Sequence, residues 1–320
     1  MNFQALEDAR IKIAKKIKIF IYIGLALFIL AVIFTATGVI GTNRSEYQEF
    51  NIIGMFIAMG AAGVFIAVIL SIIALIFTYK DYKTYKKLYK AYFVERSLRE
   101  TFTDLQYNHE QGMPKATLAS TGMIRTGDIY HSNDFTSGKY KDVAFSQADV
   151  HIQEEYTDSD GHTQYNTIFR GRWMVFEFPK PFTFRLQVVE KWFTASKKPQ
   201  KNHDTKRKIE RIHTESITFD KKFKVYAEDG FEAYYILDPA FIDHIEKLEA
   251  THQGKLMLCF INNQLHVGIH DNKDAFEPPN PLKRLDEQAE FAKIHQDIKA
   301  ITDYVDFLKL DRKLFEGNNK

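Results

Sequence analysis

The sequence predicts an α+β protein: an N-terminal two-helix transmembrane hairpin, then a cytoplasmic domain with an antiparallel sheet and packed helices. Three observations predict it. Two long uncharged apolar runs sit near the N-terminus, lysine and arginine crowd the outer flanks of both, and the chain beyond about residue 111 mixes strand-period and helix-period patterns. The mean hydropathy of −0.29 conceals this split.

The first apolar run covers 19–41 and the second 52–78, and neither holds a charged residue. At about 1.5 Å per helical residue, each is long enough to cross a hydrocarbon core of about 30 Å. A soluble core helix rarely stays apolar on every face for so long. Arg10, Lys12, Lys15, Lys16 and Lys18 precede the first run, and Lys80, Lys83, Lys86, Lys87 and Lys90 follow the second. The polar connection Thr42 to Asn51 carries only Arg44 as a cation. The positive-inside rule then puts both flanks in the cytoplasm and the connection outside. A cleaved signal peptide is the rival for the first run, with Thr35-Ala36-Thr37-Gly38 as a loose cleavage site, although the run exceeds a usual signal core. In either case the basic flank after Thr78 keeps the C-terminal domain inside.

The resulting organisation is a basic cytoplasmic N-terminus over 1–18, a membrane hairpin over 19–78, a basic tyrosine-rich juxtamembrane helix over 79–110 and a cytoplasmic α+β domain over 111–320. The formal net charge of +2 names no partner, and the single cysteine, Cys259, excludes an intrachain disulfide.

Small residues recur four apart in the second span: Gly54, Ala58 and Ala62, then Gly63, Ala67 and Ser71. Such rows let helix backbones approach closely. Gly63, Ala67 and Ser71 are the candidate helix-packing residues, serving either an oligomer interface or packing on the first span through Gly24, Ala31 and Gly38. Neither span contains an acid, base or histidine, which argues against an ion or proton pathway.

From Tyr79 to about Leu105 the pattern stays helical, with Tyr79, Tyr82, Tyr85, Tyr89 and Tyr92 on one stripe and lysines between. Tyrosine suits the headgroup level, and lysine there is drawn to anionic lipid. The candidate anionic-lipid contacts are therefore Lys80, Lys83, Lys86, Lys87, Lys90, Tyr82, Tyr85 and Tyr89. The plainer reading is a stop-transfer flank that becomes a stalk.

Gln111-Gly112-Met113-Pro114 ends that pattern. Asp142 to Glu155 reads as a strand, Asp160-Gly161 as a tight turn, and Tyr165 to Phe178 as a strand ending at Pro179. Phe182, Phe184, Leu186 and Val188 alternate with polar residues, as in a half-buried strand. Lys197 to Arg211 is a lysine-rich loop, and Phe223 and Val225 open a short strand. Asp238-Pro239 is an N-cap followed by a first-turn proline, starting a helix to about Thr251. Leu256 to Ile261 and Leu265 to Ile269 flank Asn262-Asn263-Gln264, which predicts a hairpin. The last helix carries Phe291, Ile294, Ile298, Ile301, Val305 and Leu308 on a narrow seam that packs across the sheet or forms a short coiled coil.

Segment order then suggests a family. Thr167-Ile168-Phe169-Arg170-Gly171 leads into a hydrophobic strand. Phe223-Lys224-Val225-Tyr226-Ala227-Glu228-Asp229 follows, then Glu232-Ala233-Tyr234-Tyr235-Ile236-Leu237-Asp238-Pro239, the Leu256 to Ile269 segment and Phe276-Glu277-Pro278. This order resembles the bacterial membrane-protein family catalogued as domain of unknown function three-one-three-seven, over most of the chain from about residue 100. The resemblance implies two N-terminal spans before a domain of similar length, and a bacterial inner membrane. That family has no established activity, so the resemblance supplies no catalytic residues.

The sequence carries none of the common catalytic motifs. There is no His-Glu-x-x-His, no phosphate-cradling glycine loop and no Gly-x-Ser-x-Gly elbow. Asp158-Ser159-Asp160-Gly161 starts like a calcium loop, but its twelfth position is Phe169, which cannot ligate, so the segment reads as a turn. His266 and His270 lie four apart on a strand, about 13 Å from one another and too far for one ion, and read as surface histidines. No catalytic, cofactor-binding or metal residue is assigned, and no cofactor is expected. The basic loop lacks interleaved aromatics, so no nucleic acid is expected.

The function this supports is a membrane-anchored cytoplasmic binding or scaffolding module. Its partners are the bilayer, candidate anionic headgroups, and a homo-oligomer or another membrane protein. The alternatives are a subunit of a larger membrane complex and an enzyme whose site is not recognisable.

Overall fold

The computed structural model describes residues 2–42, 50–191, 193, 207–251 and 253–308. They fall into two units, Met1–Tyr92 with Pro278–Glu287, and Phe93–Glu277 with Gln288–Lys320.

The first unit is built on two helices, α1 (Phe3–Thr42) and α2 (Phe50–Tyr89). Each is long and apolar enough to cross a membrane. They run antiparallel. Ala31 of α1 faces Gly63 of α2, and Lys12 and Lys16 of α1 both reach the Asp81 carboxylate of α2. Position therefore rises along one helix as it falls along the other. Large apolar side chains point away from the pair, with Phe28 58%, Phe65 67% and Phe77 66% exposed. Apolar area left in water costs about 25 cal/mol per Å², so this arrangement suits an apolar surrounding. The connection 43–49, expected outside the membrane, lies outside the described residues.

The expected helix from Tyr79 to Leu105 is interrupted and shorter. After α2 comes a π-helical stretch, Lys90–Val94, then α3 (Glu95–Thr101), and at Thr103 a strand begins. The run Thr101-Phe102-Thr103 explains the stop: β-branched and aromatic residues favour extended backbone, and Phe102 is extended at φ −117°, ψ 146°.

The second unit holds an antiparallel sheet. Its strands are β1 (Thr103–Asn108), β2 (Ile129–Tyr140), β3 (Val143–Thr157), β4 (Thr163–Glu190), β5 (Glu210–Ile212), β6 (Phe223–Ala227) and β7 (Lys255–His270). The order is β1-β2-β3-β4-β6-β5, with β7 on the other edge of β4. The 28-residue β4 is the axis. Its first half pairs with β3 and its last turn of sequence with β6, while β7 accompanies both halves.

At two places the strands run on where the sequence predicts a break. Pro179 does not end a strand, because β4 continues to Glu190. Pro179 and Pro181 fall beyond the last β3 partner, Glu177, and before the first β6 partner, Leu186. The proline nitrogens therefore sit where that edge has no ladder to supply. Asn262-Asn263-Gln264 does not form a hairpin turn. β7 is one strand, and Asn262 at φ 54° bends it opposite Phe182. The register of β4 slips on both sides of Phe182, so the two strands bend together and stay paired.

Both faces of the sheet are covered. On one, Ala148, Val150 and Ile152 of β3 pack with Trp173 and Val175 of β4, Met257 and Cys259 of β7, and Met113, Leu118, Met123 and Ile124 from the segment around α4 (Lys115–Ala119). On the other lie α7 (Pro239–Thr251) and α8 (Glu287–Leu308). Phe241 of α7 meets Phe260, and Tyr304 of α8 meets Phe176, with ring centroids 5.9 and 6.1 Å apart. The terminal helix thus packs on the sheet. Asp238 caps α7 as expected, accepting from the Phe241 N–H at 2.7 Å. Two short helices, α5 (Ile217–Lys222) and α6 (Gly230–Ile236), flank β6 in the chain.

Candidate functional site

The residues expected to contact lipid are not equally placed. Lys80, Lys83 and Lys87 are exposed, whereas Tyr82 and Lys86 are half-buried. Tyr85, Tyr89 and Lys90 are buried, which removes them from the surface as headgroup contacts. The tyrosine stripe stacks along itself, with Tyr82–Tyr85 and Tyr85–Tyr89 centroids 6.3 and 6.4 Å apart. Helical spacing had put the rings on one face, and that face turns inward.

Of the small-residue row, Gly63 of α2 packs against α1, where an added Cβ would sit 3.7 Å from that of Ala31. Ser71 is exposed, and Ala67 lies in α2. Most of the basic loop, 197–206, lies outside the described residues. At its described end Lys208 pairs with Glu210 at 2.7 Å.

Asp158 to Gly161 forms the expected turn. Asp158 Oδ1 accepts from the Asp160 and His162 backbone N–H groups, at 3.0 and 2.8 Å. The histidine pair does lie on one strand, but His266 is not on the surface. It is 1% exposed, with Nδ1 accepting from Trp173 Nε1 at 3.4 Å and Nε2 3.2 Å from Gln264 Oε1. Burial lowers its pKa to about 4, which keeps the ring neutral. His270 stacks on Phe193 at 5.4 Å, and burial lowers its pKa as well. Cys259 is buried, and burial pushes its thiol up to about 12, so it is no nucleophile.

The polar site of the second unit went unread in the sequence. A cavity of about 280 Å³ opens where β2, β3 and β4 meet the loop after β7. His131 and Asn133 of β2, Asp149 and His151 of β3, Arg170 of β4, and Lys273 and Asp274 of the loop line it. Register explains the convergence: His131 is opposite His151, which is opposite Arg170, and Asn133 is opposite Asp149. Beside it lies Asp134, fully buried at a bulge where the β2–β3 register slips between Asn133 and Thr136. Its φ of 58° is unusual for a non-glycine residue. Tyr107 donates to Asp134 Oδ1 at 2.6 Å and Asn133 Nδ2 to Oδ2 at 2.7 Å.

Electrostatics set this site apart. Asp149 is buried, and desolvation pushes its carboxyl well above the usual carboxylate range, against the opposing pull of Arg172. Arg172 donates to the Asp297 carbonyl at 2.6 Å and lies 5.5 Å from the centre of the Phe276 ring. The Tyr107 hydroxyl is driven upward by burial and then by Asp134. Burial lowers the pKa of His151, with Arg170 and His131 adding to the effect. Cationic and anionic groups therefore share one recess, which suits binding a small charged ligand more than an apolar one.

A search of curated proteins finds no match. One solved structure, the crystal structure of the mycobacterial trehalose monomycolate transport factor A, TtfA, is similar at 9% identity over 69% of this chain and 94% of that chain, with a TM-score of 0.37. At that level the likeness fixes neither fold nor activity. Residues 167–310, from β4 to α8, match the model of the family described as protein of unknown function (DUF3137), the family that the segment order resembles.

Proposed function

We propose that this chain is a membrane-anchored binding or scaffolding module, with α1 and α2 as a two-span hairpin and the α+β unit on the cytoplasmic side of a bacterial inner membrane. The observation that carries the reading is the outward display of Phe28, Phe65 and Phe77 on helices of membrane-spanning length. A water-facing pair would leave this apolar area unburied, at about 25 cal/mol per Å². Basic residues on both outer flanks supply the orientation. Lys80, Lys83 and Lys87 are the exposed cations placed to meet anionic headgroups.

Alkaline carbonate washing of membranes from cells expressing the full chain tests the anchor. The chain stays in the membrane pellet if the helices span. Release into the supernatant, as for a peripheral protein, contradicts the reading.

A further inference from the structure

Asp134, Asp149 and Asp274 each offer a carboxylate oxygen, and these oxygens lie within 4.8 Å of one another. Asp134 is 0% and Asp149 4% exposed. Like charges this close cannot all ionise in a buried site without compensation. Arg172 supplies one positive charge towards Asp149.

The decisive atom is Asp149 Oδ2. It is buried and has no hydrogen-bond partner, although the same carboxylate accepts from the Ala275 backbone N–H. Native structures seldom leave a buried carboxylate oxygen unsatisfied. Asp149 also lines the cavity of about 280 Å³, with Asp274 across from it. The Asp134 carboxylate is held on both oxygens, by Tyr107 and Asn133, which is how supporting groups orient a ligand carboxylate while leaving lone pairs for an ion.

We propose that Asp134, Asp149 and Asp274 form a binding site for a hard divalent cation, Mg²⁺, Ca²⁺ or Mn²⁺, with Asp149 Oδ2 as its innermost ligand. An all-carboxylate donor set selects such ions over the soft ones that thiolates hold. The cation adds positive charge to that of Arg172, and it gives the unpartnered Asp149 oxygen its contact. It also ties β2, β3 and the loop after β7 together at the mouth of the cavity.

The test uses the full chain in detergent, stripped with EDTA and desalted, with Mn²⁺ as the probe read by electron paramagnetic resonance. The wild type takes up one Mn²⁺, displaced by Mg²⁺ or Ca²⁺. Asp149→Asn and Asp274→Asn each weaken Mn²⁺ by at least the roughly 10- to 100-fold that loss of a supporting group costs. Asp158→Asn, in the exposed turn, leaves it unchanged. In EDTA, Asp149→Asn melts at or above the wild-type temperature, because a buried charge has gone, so lost binding is not lost folding. No Mn²⁺ uptake by the wild type, uptake in both site variants equal to that of the wild type, or loss that follows Asp158→Asn instead would overturn the proposal.

Discussion

The two units use the same side chains in opposite ways. In the first, Phe28, Phe65 and Phe77 face outward; in the second, Phe169, Trp173 and Phe260 are fully buried. Composition cannot produce that contrast, since both segments are rich in aromatic and branched residues. What differs is the pattern. The helices are apolar on every face and have no polar side to turn outward, whereas β3 alternates and α8 carries a narrow seam. On the proposed membrane reading, the first unit draws its stability from its surroundings, whereas the second has a buried core of its own. The second should therefore respond strongly to core substitutions, and the first should not respond to outward ones.

The largest expected effect is on Trp173, which packs on Phe169 at 5.9 Å and bonds His266. Trp173→Ala costs about 3–5 kcal/mol, read by urea denaturation followed through the near-ultraviolet signal of the full chain in detergent. Phe65→Ala, on the exposed face of α2, leaves that transition in place. A matching loss from Phe65→Ala would erase the contrast between the units.

The pH response of His266 comes next. Its folded pKa, about 4, lies below the ordinary value of 6.5, so the unfolded chain binds the extra proton first. Stability from this group is therefore full above pH 6.5 and falls as pH drops toward 4. The loss amounts to at most about 3 kcal/mol. Denaturation midpoints between pH 7 and 4.5 check this. His266→Gln, which keeps an amide acceptor and cannot titrate, should flatten the slope in that window. An unchanged slope would place the sensitivity elsewhere.

A smaller effect is expected at Gly268, where an added Cβ would lie 2.8 Å from the Trp173 ring and 2.9 Å from Met257. Gly268→Ala overpacks the core and costs about 1–3 kcal/mol. The parallel change in the first unit, Gly63→Ala, meets Ala31 at an ordinary 3.7 Å and should leave the melting temperature in detergent within a degree or two. A large drop from Gly63→Ala would mean the helices pack more tightly than that distance implies.

The same contrast explains what the sequence made legible. The two long apolar helices, the Asp238-capped helix, the strands β3 and β6, and the terminal seam all rest on local periodicity or capping chemistry, and the structure contains them. The long β4–β7 pair was misread because proline and asparagine usually mark turns, and only the facing strand reveals that both bend at one level. β2 is not legible in the sequence because polar residues interrupt it. Its polar residues break the apolar alternation: His131 and Asn133 line the polar recess, and Asp134 and Thr136 are buried beside them in the strand. The three aspartates come from elements far apart in the chain, so no spacing announces them. The signal that existed was an aspartate inside an apolar strand, at Asp149. Tyr85, Tyr89 and Lys90 were misplaced because helical spacing fixes which residues share a face, not which way that face turns.

The smallest effect concerns the surface that remains. Replacing Lys80, Lys83 and Lys87 with glutamine should reduce recovery of the reconstituted chain's preference for anionic over neutral lipid without changing its fold. Native mass spectrometry of retained lipid reads this, and equal retention of anionic lipid would remove those lysines from the account.

The central claim is that the α+β unit lies on the side opposite the 43–49 connection. It is tested most directly by impermeant maleimide labelling of intact cells, in a Cys259→Ser background. Ser45→Cys should label from outside, and Ser159→Cys, in the exposed turn, only after lysis. Labelling of Ser159→Cys in intact cells, with Ser45→Cys protected, would contradict it.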